Sequence, residues 1–136
     1  DGPNGAVLLT MLLLNTWGTD TAALFVGRWL GKRPIAPRIS PKKSLEGVLG
    51  GFALGVTAGV LFGLWGGLGL GVALAANVGL SLATTLGDLV MSSVKRGLDV
   101  KDMGRLLPGH GGMVDRLDGL VLAAILAHGL VLAGVL

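Results

Sequence analysis

Residues 109–119 read GHGGMVDRLDG and concentrate the chemistry open to this chain. Asp115 and Asp118 are three positions apart, which on a helix sets both carboxylates on one face. Arg116 lies between them, and Asp88, Lys95, Arg96, Lys101 and Arg105 lie upstream. An uncharged run then carries the chain to residue 136, and ionisable groups beside such a run are costly unless they pair or act. Capping the start of a helix would occupy one aspartate and leave the second surplus. With Asp88 alongside, the three carboxylates of Asp88, Asp115 and Asp118 suit a hard divalent cation. Mg2+ prefers such oxygen ligands and keeps positions for water or phosphate. Gly109, Gly111 and Gly112 let backbone N–H groups approach an anion closely. No GxxxxGK[ST] loop is present, so any phosphate cradle here is of another kind. Carboxylates, cations and glycines together point to phosphoryl or nucleotidyl transfer, where catalysis is mostly positioning and charge neutralisation.

The elements that must position these groups are apolar. Hydrophobic residues make up 51% of the 136 residues, glycine accounts for 25 and charged residues for only 14%. That balance is typical of packed membrane helices. Without cysteine, disulfide and thiolate chemistry are excluded. The opening DGPNG has no basic region before its apolar run, so it does not read as a signal peptide; the sequence reads as a piece of a longer chain. Residues 47–87 carry no charge, room for two spans of roughly 20 residues with a turn at the glycines of residues 64–69. A further span is expected near residues 5–30 and a last one near residues 113–136. The expected fold is therefore all-α: a polytopic integral membrane bundle of about four transmembrane helices, one domain over residues 1–136. All eleven lysines and arginines then fall in two loops on one side, which the positive-inside rule makes the cytoplasm. Short basic segments flanked by spans, with no soluble recognition module, argue against nucleic-acid binding.

Patterns inside the spans add detail. Gly47, Gly51, Gly55, Gly59 and Gly63 form a ridge along which another helix can approach closely, a structural role. Asn77, Ser81, Thr84, Asp88, Ser92 and Lys95 share one narrow arc at 100° per residue, so they face protein or water rather than lipid. Interhelical hydrogen bonds account for the first three; Asp88, at the membrane end, is a functional candidate. Asp20 is balanced between the two roles. His128, lone in an apolar stretch, is expected to be a hydrogen-bonded structural histidine. Asp99 and Asp102 read as a solvated loop.

The segment SSVKRGLDVKDMGRLLPGHGGMVDRLDG resembles the signature of the phosphatidate cytidylyltransferases, the CDP-diacylglycerol synthases, with every fixed position met from Ser92 to Asp118. Upstream, WGTDTAALFVGRWLGKRPIAPRISPKKSLEGVLGG is similar to the same family, departing mildly at Leu24, Ser44 and Leu45. Members are usually about twice as long, and the match is to their C-terminal catalytic half. The resemblance implies a magnesium-dependent membrane enzyme that joins CTP to phosphatidate, giving CDP-diacylglycerol and pyrophosphate, in the bacterial inner membrane with a cytoplasmic site. It implies Asp88, Asp115 and Asp118 as metal ligands. It places Lys95, Arg96, Lys101, Asp102, His110 and Arg116, with Asp88, in the catalytic set. Ser92, Gly111 and Gly112 join the substrate-binding set, as do Ser40, Lys42, Lys43 and Glu46 of the second signature element, which also contains Pro41. It also suggests a homodimer. Three rivals stand beside it. A transporter would more often show repeated halves with broken helices at mid-membrane. A CTP-dependent relative acting on another lipid phosphate or a polyprenol would share these motifs. A fragment inactive without the family's N-terminal spans is the third.

Overall fold

The computed structural model describes residues 5–100 and 114–136. The described residues form four helices, α1 (Gly5–Leu30), α2 (Leu45–Trp65), α3 (Leu70–Gly97) and α4 (Val114–Leu132), with one small antiparallel hairpin of β1 (Pro34–Ala36) and β2 (Ser40–Ser44) joining α1 to α2. The helices fall where the apolar runs predict them. The hairpin is not foreseen by an all-α reading. It forms where Pro34, Pro37 and Pro41 forbid helix, and Ile39 N–H closes its turn on the Ala36 carbonyl at 3.1 Å.

Local chemistry sets the helix ends. Ser44 caps α2, its Oγ accepting from Gly47 N–H at 3.1 Å. At the other end Gly67 takes φ 93°, while Leu68 N–H reaches the Gly63 carbonyl at 2.9 Å and Gly67 N–H that of Leu64 at 3.1 Å. This paired closure wants a residue without a Cβ at the left-handed position. The same closure ends α3, with Asp99 at φ 52° and Val100 N–H on the Lys95 carbonyl at 2.9 Å. It leaves Lys95 and Arg96 in the last turn, at the negative end of the helix dipole.

Packing is inverted relative to a water-soluble core. Asn15, Asn77, Ser81 and Thr84 are fully buried, whereas Leu54, Leu61, Leu82 and Ile125 face outward. Apolar residues outside and paired polar residues inside are what a hydrocarbon solvent selects. Asn15 Nδ2 donates to the Gly55 carbonyl (3.2 Å), the Asn77 carbonyl (3.1 Å) and Asn77 Oδ1 (3.0 Å), so α1, α2 and α3 are tied at one level. Ser81 Oγ donates to Asn15 Oδ1 at 3.1 Å and lies 3.2 Å from Thr19 Oγ1. The glycine ridge of α2 packs on α1: a Cβ at Gly47 would lie 2.7 Å from the Ala23 carbonyl oxygen, and one at Gly55 would lie 2.9 Å from that of Asn15. The ridge and the polar stripe thus take the roles their spacing implies.

Helices α2 and α3 are long and apolar enough to cross a membrane, and α4 contributes a shorter apolar stretch, Leu117–Leu132. The 21 residues of α2 rise about 30 Å, the thickness of a hydrocarbon core. Trp29, at the end of α1, and Trp65, at the end of α2, are 80% and 78% exposed, as interfacial anchors are. His128 departs from expectation. It lies on an exposed face of α4 and makes no hydrogen bond among the described residues, because its helix turns that face away from α3.

Gly55→Ala should lower stability by about 1–3 kcal/mol, since its methyl group has no room against α1. Gly71→Ala, at a position with nothing within 4 Å, should change stability by less than about 1 kcal/mol. Thermal unfolding in detergent, followed by tryptophan fluorescence, measures both.

Candidate active site

The acids are brought together by a place where two backbones nearly touch. A Cβ at Gly87 would lie 3.0 Å from the Asp118 carbonyl oxygen and 3.3 Å from Gly119 Cα. One at Gly119 would lie 3.0 Å from the Thr84 carbonyl oxygen. Glycine on both sides suits this crossing of α3 and α4, where a methyl group would press tightly on the facing backbone. The neighbours of these glycines are Asp88 and Asp118, so the crossing carries both carboxylates to one cavity of about 600 Å³. Asp20 and Trp17 of α1, Ser40, Lys42 and Lys43 of β2 and Leu117 of α4 also line it.

Each acid has a cation from a different element. Lys43 Nζ pairs with Asp88 Oδ2, joining the hairpin to α3. Lys95 Nζ lies 3.5 Å from Asp118 Oδ2, joining α3 to α4, and both side chains are only 12% exposed. Asp118 Oδ1 also accepts from Gly119 N–H at 2.8 Å. The Asp88 charge acts on both Asp20 and Asp118, so three carboxylates repel one another around the cavity. Lys43 offsets part of that repulsion at Asp20 as well as at Asp88.

A second cavity, of about 410 Å³, borders the same hairpin strand. Ile39, Ser40, Pro41 and Lys42 line it from the hairpin, and Ser92, Lys95 and Arg96 from α3. Ser40 and Lys42 border both cavities. Arg96 Nε donates to the Ile39 carbonyl at 3.3 Å, so the guanidinium also braces the hairpin tip.

Of the sequence-derived candidates, the structure gathers Asp88, Asp118, Ser40, Lys42 and Lys43 at the first cavity and Ser92, Lys95 and Arg96 at the second. Glu46 is not brought to either lining; its Oε2 accepts from the backbone N–H groups of Lys32 and Arg33. Lys101, Asp102, His110, Gly111 and Gly112 lie outside the described residues, as do the side chains of Asp115 and Arg116 in the first turn of α4. Among the described residues no three histidine or carboxylate groups form a ready metal cage. Asp88 and Asp118 nevertheless supply the one or two carboxylates that Mg2+ takes when phosphates complete its shell. Gly87 and Gly119 are contributions that sequence reasoning missed, and Asp20, balanced in sequence between a structural and a functional role, lines the first cavity. Their signals are the pairing of glycine with aspartate in both GD and DG, and the acid of WGTDT in an otherwise apolar helix.

The pairing of Lys43 with Asp88 should appear as a coupling of about 1 kcal/mol or more in a double-mutant cycle of Lys43→Met and Asp88→Asn. Thermal unfolding of the four proteins measures it; additive effects would dissociate the two side chains.

Comparison with known proteins shows the family of the chain. The model of the Cytidylyltransferase family matches residues 1–133. The phosphatidate cytidylyltransferase of Brucella melitensis biotype 1 is 47% identical over 129 residues, covering 94% of this chain and 48% of that protein. That of Mycobacterium bovis is 44% identical over 125 residues, covering 91% and 41%. The chain thus spans less than half the length of these curated relatives. A solved structure described as an intramembrane enzyme for archaeal membrane lipids biosynthesis superposes with a TM-score of 0.65 at 26% identity, covering 91% of this chain and 75% of that one. With its apolar exterior, this places the chain among helical membrane proteins.

Proposed function

The chain belongs to the cytidylyltransferase family, and from that premise we propose that it carries the site where CTP and phosphatidate become CDP-diacylglycerol and pyrophosphate. The observation that carries the reading is the convergence of Asp88 and Asp118, from two helices, on one cavity bordered by Lys42 and Lys43. We further propose that all four helices span a bacterial inner membrane, with the hairpin and the basic residues on the cytoplasmic side. The protein works as a homodimer in this reading.

The reaction forms a bond between a phosphate oxygen of phosphatidate and the α-phosphorus of CTP. The bond from that phosphorus to the bridging oxygen breaks, and pyrophosphate takes the electron pair. A phosphate monoester has its second pKa near ~6, so the attacking oxygen is already anionic at neutral pH and needs no general base. That matches a site of carboxylates and cations without a nucleophile, histidine and acid relay. The obstacle is the approach of two polyanions. Lys42, Lys43, Lys95 and Arg96 offset their charge, and the hydroxyls of Ser40 and Ser92 can donate to phosphate oxygens. Asp88 and Asp118, with Asp115, would hold Mg2+, which when bound supplies charge neutralisation at the phosphates. Lys101, Asp102, His110, Arg116, Gly111 and Gly112 belong to the same site on the strength of the signature they share. The cavity fits a meeting of water-soluble and lipid substrates, since its wall runs from lysines to the apolar Trp17, Leu24 and Leu117.

One observation favours a second reading of the acceptor: the solved neighbour serves archaeal membrane lipids, so another lipid phosphate could replace phosphatidate. Supplying alternative lipid phosphates in the same assay separates the two.

The test is CDP-diacylglycerol formation from CTP and phosphatidate by this chain in membranes, with and without Mg2+. Product should require the cation, and Asp118→Asn should lower the rate by about 100-fold or more. If the chain alone is silent, the assay is repeated with the remaining length of a curated relative fused before it; silence there too, for every lipid phosphate offered, would contradict the proposal.

A further inference from the structure

The hairpin that holds Ser40, Lys42 and Lys43 over the two cavities is poorly equipped to hold itself. Its strands are three and five residues long, and two-stranded hairpins are marginal without other support. Pro34, Pro37 and Pro41 bring no N–H donors, and the register shifts between Pro34 and Ala36. Something outside the ladder must therefore close its base. Glu46, in the first turn of α2, does so. Its Oε2 accepts from Lys32 N–H at 3.0 Å and from Arg33 N–H at 3.2 Å, two consecutive amides converging on one anionic oxygen. Beside it, Leu45 N–H donates to the Arg33 carbonyl at 2.8 Å, so Arg33 is gripped as donor and as acceptor. The hairpin also rests on α3, at its tip through Arg96 and Ile39 and nearer its base through Lys43 and Asp88.

We propose that Glu46 is a positioning residue, a carboxylate latch that fixes the exit of α1 to the start of α2 and so sets the hairpin over the site, rather than a group that touches substrate. It lines neither cavity, and its acceptor oxygen is engaged by backbone. The catalytic consequence rests on the function proposed above; the latch itself does not.

The experiment compares Glu46→Ala, Glu46→Asp and Glu46→Gln with the unaltered protein in detergent and in membranes. Two readouts report the latch: trypsin cleavage after Lys32, Arg38, Lys42 and Lys43, and hydrogen exchange at the amides of Lys32 and Arg33. Losing a charge-assisted pair of bonds should speed both by about tenfold or more in Glu46→Ala. Glu46→Asp keeps the charge but falls one methylene short, and it should behave like Glu46→Ala. Glu46→Gln keeps an acceptor oxygen at full reach and should stay within about threefold of the unaltered protein. Catalysis should follow the same order, Glu46→Ala losing the most and Glu46→Gln the least. If Glu46→Ala does not accumulate, the Asp and Gln variants decide. Equal protection in all variants would overturn the latch. So would a Glu46→Gln protein that keeps its protection yet loses as much activity as Glu46→Ala, since that would mean direct substrate contact. A protein that makes no CDP-diacylglycerol in any form overturns the functional reading alone, and cleavage and exchange still judge Glu46.

Discussion

Within hydrocarbon there is no hydrophobic drive to push helices together, so close backbone approach must supply what water supplies elsewhere. Two such approaches organise this protein. The glycine ridge of α2 lets α1 lie against it, and Gly87 and Gly119 let α3 and α4 cross nearly backbone to backbone. The second contact has the larger functional consequence. Each of its glycines is the sequence neighbour of an aspartate, so the crossing brings Asp88 and Asp118 to one cavity. Polar bonds through Asn15, Asn77 and Ser81 then fix α1 and α2 to α3, so the cavity wall is set by the same packing that holds the bundle.

Charge balance explains why the cations come from so many elements. Three carboxylates around one cavity repel one another, and burial beside apolar helices raises the cost of each. Lys43 on the hairpin and Lys95 on α3 meet Asp88 and Asp118, while Arg96 turns partly to the hairpin backbone. A site arranged this way is ready for polyanions, because groups that balance aspartates can equally balance phosphates. It also makes the hairpin a wall of the candidate site rather than a loop beside it.

Much of this was legible in the residues. Apolar runs and charge placement give the four helices, since nothing else satisfies so many backbone groups away from water. The stripe from Asn77 to Lys95 gives the inner face of α3. The hairpin was not legible because proline-rich segments announce what they prevent, not what they form. Neither was the orientation of Glu46: a signature containing it places it near the site, while only coordinates show its carboxylate turned to the amides of Lys32 and Arg33. Gly87 and Gly119 escape notice for a related reason, since their partner lies across a helix crossing and not along the chain.

Asp88 and Asp118, from two different helices, both line one cavity beside the crossing of α3 and α4. The chain contains no cysteine, so thiols introduced there have no competitors. Titrating Cd2+ into the Asp88→Cys, Asp118→Cys double variant, and reading the ultraviolet thiolate-to-metal absorption, tests this directly. One Cd2+ per chain, bound at least about a hundredfold more tightly than by either single variant, is the result expected of two donors on one ion. A double variant that binds no better than the singles would show that α3 and α4 do not bring these two positions together.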